Sequence, residues 1–187
     1  MIRRSHALTG GVDYTKFIGL IHYAPLTSTS PASRYWGVDQ TITYGSSPIL
    51  SKAAGIVDTG TTLILIATDA FNLYQTATGG VLDNNVGLLS ITPSQYSALK
   101  NLDFNINGKT YSLTPNGQIW PRSLNSVIGG SSSSIYLIVA DMGTPTIGKG
   151  LDFINGQKFL ERFYTVYDTT NKQIGFAITP YTTATSN

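Results

Sequence analysis

The sequence predicts an all-β protein with a few short helices, and three observations lead there. Apolar runs are short, rich in Val, Ile, Tyr and Phe, and separated by clusters of Gly, Pro, Asn and Asp. The pair Asn107-Gly108 lies between two alternating segments, which is the strongest short-range sign of a β-hairpin. Charged residues make up only 12% of the chain, about half the usual fraction, while Ser, Thr, Gly and Asn fill the loops. With 187 residues and 41% hydrophobic content the chain can build one well-cored domain, or at most two small ones.

In chain order, residues 17–24 alternate and stop at Pro25, which predicts a strand with both faces partly covered. Thr27 to Ser33 is a polar loop containing Pro31. Trp36, Val38, Ile42 and Tyr44 recur with a period near two, predicting a long half-buried strand that turns at residues 45–48 and returns through Ile49 and Leu50. Residues 63–66 are another buried strand. Ala70, Phe71, Leu73 and Tyr74 have helical spacing, with Thr68 as a candidate N-cap and Gly79-Gly80 as the stop. Thr92-Pro93-Ser94-Gln95 starts a second helix by its capping hydroxyl, first-turn proline and following Gln. That helix presents Tyr96, Leu99 and Leu102 and ends near Asn101. Phe104 and Ile106 enter the hairpin, and Tyr111 and Leu113 leave it. Ser131 to Ser134 is a loop, and Tyr136 to Ala140 is a single buried strand. A helical turn carries Phe159, Leu160 and Phe163, with Lys158, Glu161 and Arg162 on its polar face. Residues 164–168 and 173–178 form two final strands, and residues 182–187 a frayed polar end.

One stretch carries chemistry: Gly55-Ile56-Val57-Asp58-Thr59-Gly60-Thr61-Thr62-Leu63. Two β-branched residues run into a lone carboxylate, and a second apolar run follows, so Asp58 sits in a tight loop at a strand end. Gly60 permits a positive φ and a close approach of amide groups to the carboxylate, and the hydroxyls of Thr59 and Thr61 can bond it or brace the loop.

Composition excludes several other classes. Twelve Lys and Arg against ten Asp and Glu give a formal +2 without a basic patch, so neither nucleic acid nor an acidic membrane surface is implied. There is no cysteine, and the isolated His6 and His22 form no metal-ligand cluster, so no metal or cofactor is expected. The basic opening from Met1 to Leu8 lacks the apolar core of a signal peptide, and no stretch approaches transmembrane length. Few carboxylates can be in ion pairs, which suits the chain to acid.

Asp58-Thr59-Gly60-Thr61-Thr62-Leu63 resembles the second active-site motif of pepsin-like aspartic proteases. The segment from Phe153-Ile154-Asn155-Gly156 through Phe159 to Asp168 and Ile174-Gly175-Phe176-Ala177 resembles that family's C-terminal signature, closest to cysteine-free secreted fungal enzymes. The resemblance implies one lobe of the bilobal pepsin-like fold over residues 9–180, with residues 1–8 as an extension and 181–187 as a polar tail. It further implies that Asp58 is one of two catalytic aspartates acting on a peptide or protein substrate outside the cell. Thr59, Gly60, Thr61 and Gly156 would support the catalytic loop; Thr61, Thr62 and Tyr35 would contact substrate.

The sequence holds a single Asp-Thr-Gly, so the second carboxylate must come from an N-terminal lobe or a second copy. Asn155 and Gln157 depart from the family, which places an apolar residue and an aspartate there, and a buried Asn155 amide needs a hydrogen-bond partner. Two other readings stand beside this one. A lobe without its partner would act at most as a peptide-binding module. Residues 57–62 also resemble the first phosphate loop of actin and sugar-kinase folds, although a second such loop is missing.

Overall fold

The computed structural model describes residues 8–186; most of the N-terminal extension lies outside that range. Thirteen strands and three short α-helices alternate along the described residues. They are β1 (Ile18–Pro25), β2 (Gly37–Tyr44), β3 (Ser47–Val57), β4 (Ile64–Ile66), α1 (Thr68–Thr78), β5 (Val81–Asp83), β6 (Leu88–Ile91), α2 (Pro93–Ala98), β7 (Leu102–Ile106), β8 (Lys109–Leu113), β9 (Ile135–Tyr136), β10 (Val139–Asp141), β11 (Phe153–Asn155), α3 (Gln157–Leu160), β12 (Phe163–Asp168) and β13 (Gln173–Ile178). Three 3-10 turns, Ala32–Arg34, Pro115–Gln118 and Arg122–Ile128, complete the connections.

The central sheet has seven strands in the order β10-β4-β11-β3-β2-β7-β8. Its sequence-distant member is β11, which lies between β3 and β4, parallel to the first and antiparallel to the second. The chain leaving β3 must therefore bridge the end of β11 to reach β4, and that bridge is the Asp58 loop. Two smaller sheets, β1-β13-β12 and β5-β6-β9, flank the central one. Aromatic side chains fill the core between them: Phe159 lies 4.8 to 5.8 Å from Phe163, Phe104 and Phe176, ring centre to ring centre.

Most elements follow from local chemistry. At the Asn107-Gly108 turn both residues take positive φ, 47° and 79°, as a two-residue hairpin with matching twist demands. Thr92 and Gln95 form a reciprocal capping box at the start of α2. Gly79 closes α1 in the left-handed conformation.

Tertiary context overrides the local pattern elsewhere. Thr68 does not cap α1: the cap position is Ala67, and the Thr68 hydroxyl donates to Asp141 Oδ1 at 2.7 Å. β1 is largely exposed rather than covered on both faces, with Leu20 77% accessible. α2 stops at Ala98, and Leu102 belongs to β7. The apolar run from Tyr136 to Ala140 splits into β9 and β10, which belong to different sheets. β5 and β6 are too short for alternation to reveal them; they close through Asp83, whose carbonyl accepts from Val86 and Gly87. Phe163 begins β12, and the polar face expected beside it is mostly buried. Lys158 reaches Glu161 at 3.1 Å, and its ammonium lies 5.2 Å from the Trp120 ring centre. The buried Arg162 holds the C-terminal residues expected to fray, donating to the carbonyls of Tyr181 and Ala184, while Thr182 donates back to the Arg162 carbonyl.

Candidate active site

Asp58 follows β3 directly, and its position is set from beneath by β11. The Asp58 amide donates to the Asn155 carbonyl at 3.1 Å, and the Val57 amide to the Trp36 carbonyl at 2.9 Å. Its carboxylate is bonded at both oxygens: Oδ1 accepts the Gly60 amide at 2.9 Å, and Oδ2 the Thr61 hydroxyl at 2.7 Å. Each carboxylate oxygen keeps lone pairs for another donor. Gly60 does not use a positive φ; a Cβ there would lie 3.2 Å from Asp58 Oδ1, so the need for glycine is close approach alone.

The start of α3 holds the loop from its other side. The Gln157 side chain donates to the Thr59 carbonyl at 2.9 Å, the Gln157 amide to the Thr61 carbonyl at 2.7 Å, and the Lys158 amide to the Thr62 carbonyl at 3.0 Å. Thr59 thus braces the loop through its carbonyl. Gly156 is where the two segments touch, since a Cβ there would collide with the carbonyl oxygens of both Leu63 and Thr61. The polar residue at 155 has the partner its burial requires: Asn155 and Gln40, both fully buried, exchange amide hydrogen bonds of 2.8 and 3.3 Å.

Above the loop a cavity of about 520 Å³ opens between Arg34, Tyr35 and Trp36 on one side and Val57 and Asp58 on the other. Trp36 packs edge-on against Tyr167 at 5.0 Å. The Tyr167 hydroxyl is buried without a hydrogen-bond partner among the described residues, and its pKa is pushed up to about 12 by burial first and the negative charge of Asp58 second. The structure therefore brings Tyr35 and Asp58 to one cavity. Thr61 is committed to the carboxylate, and Thr62 lies on the exposed surface of the loop outside the cavity wall. Arg34, Trp36, Gln157 and Tyr167 join the site without having been assigned to it from sequence. Only their adjacency to Tyr35, Gly156 and the C-terminal signature could have drawn attention to them. No cluster of three or more potential metal ligands exists among the described residues.

A β-rich lobe that presents one hydrogen-bonded carboxylate on an Asp-Thr-Gly loop, over a strand inserted from the C-terminal segment, defines the pepsin-like fold class. The family described as eukaryotic aspartyl protease matches residues 3–179, and the chain belongs to that family. It is 64% identical to polyporopepsin of Irpex lacteus over 95% of this chain and 52% of that protein. It is 31% identical to pepsin-2B of Gadus morhua over 92% of this chain and 49% of the relative. The crystal structure of aspartic proteinase from Irpex lacteus superposes with a TM-score of 0.93 at 63% identity, covering 95% of this chain and 52% of that one. The chain thus spans about half the length of these relatives.

Proposed function

We propose that this chain provides half of an acid endopeptidase, with Asp58 as one of two carboxylates that activate a water molecule for peptide-bond hydrolysis. Two carboxylates at hydrogen-bond distance cannot both ionise, so they share one proton. The ionised member takes a proton from the attacking water, and the protonated member polarises the scissile carbonyl. The observation that carries the reading is the Asp58 carboxylate itself, bonded at both oxygens and bordering a cavity.

In this reading Thr59, Gly60, Thr61 and Gly156 fix the carboxylate, Thr61 and Thr62 meet the substrate backbone, and Tyr35 lines a subsite. The second carboxylate comes from an N-terminal lobe or a second copy. The exposed three-stranded sheet, where Ile18 pairs with Ile178 and Leu20 is bare, supports a partner at that face. The family likeness to secreted enzymes supports an extracellular setting.

The test is hydrolysis of a denatured protein substrate at acid pH by the full chain, alone and mixed with the N-terminal half of a related protease. Activity that pepstatin blocks and Asp58→Asn abolishes is the expected result. Activity that survives Asp58→Asn, or none from the chain alone or combined, overturns the proposal. Peptide binding without cleavage in every combination would instead favour the binding-module reading, which the single Asp-Thr-Gly keeps open.

A further inference from the structure

We propose that Arg34 makes the cavity beside Asp58 select peptides carrying a carboxylate side chain close to the bond held there, an inference that rests on the function proposed above. The cavity wall contains two formally charged side chains, Asp58 and Arg34. The Asp58 oxygens are engaged by Gly60 and Thr61. The ion pairs among the described residues join Lys52 to Asp39 and Lys158 to Glu161, so the Arg34 guanidinium has no carboxylate partner among them.

The root of that side chain is held firmly. Ala32, at the start of the same 3-10 turn, is fully buried, and its amide donates to the Gly150 carbonyl at 3.1 Å. The Arg34 amide donates to the Pro31 carbonyl at 3.1 Å and the Tyr35 amide to the Ala32 carbonyl at 3.0 Å. The turn presses on β2 so closely that a Cβ at Gly37 would meet the Ala32 carbonyl oxygen at 2.5 Å. A guanidinium on a fixed turn, beside the phenol of Tyr35 and the indole of Trp36, presents a planar fork of donors at a partly walled site. That geometry matches a carboxylate, which can accept two parallel N–H bonds, better than it matches an amide or an ammonium. Arg34 and Tyr35 are both exposed, so solvent reaches the pair and added salt screens it.

The experiment uses the full chain and a fluorescent peptide with apolar flanks, carrying Glu, Gln or Lys at one position beside the central bond, and repeats this on either side of it. Affinities are read by anisotropy at about pH 5.5, above the ordinary glutamate range. At one position the Glu peptide binds about 3- to 10-fold tighter than the Gln peptide, and the Lys peptide binds weaker than both. The Glu-to-Gln ratio falls to about one in Arg34→Ala, is only partly kept in Arg34→Lys, which restores the charge without the planar fork, and shrinks with added salt. Equal affinity for Glu and Gln peptides at every position, or a ratio that survives Arg34→Ala, overturns the inference. If the Gln peptide is still cleaved in an Asp58-dependent manner, the proposed function stands without it. Failure of every peptide to bind overturns the inference, while the proposed function stands or falls on hydrolysis by the chain mixed with an N-terminal half.

Discussion

Replacing Asn155 with leucine restores the apolar residue usual in the family at that position, and it should nevertheless destabilise this protein. Gln40 and Asn155 are 1% and 0% exposed and satisfy each other through two amide hydrogen bonds. The Asn155→Leu side chain would leave the Gln40 oxygen and nitrogen without those bonds, at a cost of about 1–3 kcal/mol for each buried unsatisfied group. Two such groups cost about 2–6 kcal/mol together, and burying a leucine in place of an amide returns about 1–2 kcal/mol, so the net loss centres on about 2.5 kcal/mol. At roughly 2–4 °C per kcal/mol for a domain of this size, the thermal midpoint should fall by about 5–10 °C. Adding Gln40→Leu removes the stranded amide, so the double variant should recover most of the loss, with a coupling of about 2 kcal/mol in a double-mutant cycle. Thermal and urea unfolding of the four proteins measure these quantities. A single variant within about 0.5 kcal/mol of the parent, or a double variant as unstable as the sum of the singles, would refute the reasoning.

Gly156→Ala should cost more than about 3 kcal/mol or fail to fold, because its Cβ would strike two backbone oxygens that cannot rotate away; soluble yield and unfolding midpoint report it. Thr92→Ala removes one half of the capping box and should cost about 0.5–2 kcal/mol in thermal unfolding while leaving peptide binding intact. Burial raises the pKa of Tyr111 and Tyr167 to about 12 and moves that of Tyr74 upward as well. These groups stay neutral in the folded protein where an unfolded chain ionises them near pH 10, so their stabilisation is intact below about pH 10 and is lost as pH rises through about 12. Urea midpoints should fall across that window, with tyrosinate absorbance appearing on unfolding, and Tyr167→Phe should shallow the fall.

The sequence and the fold agree where a single residue type has one physical solution. The Asn107-Gly108 turn, the Thr92-Gln95 capping box and the Gly79 stop need no information from elsewhere in the chain, and each forms as its chemistry requires. The contact between the Asp58 loop and Gly156 was legible for the same reason, through a resemblance built on tightly constrained loops. Long-range pairing hid the rest. Nothing near Tyr136 says that β9 and β10 belong to different sheets, and nothing near Arg162 says that its guanidinium will hold the C-terminal carbonyls. Lys158 and Arg162 look like a solvated face on a helix pattern because their partners, the half-buried Trp120 and the buried Asn116, lie about forty residues away in sequence. Arg34 was invisible as a site residue because a 3-10 turn in a polar loop has no pattern that says which way it faces.

The Asp-Thr-Gly loop and the C-terminal signature are one structural unit rather than two separate marks of a family. Asp58 draws its backbone bond from Asn155, its loop is held by the side chain of Gln157 at a separation of 98 residues, and Gly156 supplies the space in which Thr61 and Leu63 pass. A loop stretched between β3 and β4 would otherwise be free to collapse, because β4 is only three residues long and pairs with β10 and β11, both contributed from far downstream. Closing a segment of that length opposes assembly by an entropy that grows only slowly with length, so these contacts are non-local without being prohibitively costly. The carboxylate is therefore set in place by the last third of the chain. Gln157 stands where the family usually has an aspartate, and its amide can donate to the Thr59 carbonyl, a bond an ionised carboxylate could not make. The departure from the family at 157 thus keeps the loop braced by a group that does not titrate, so the brace should persist at the acid pH where the proposed chemistry operates.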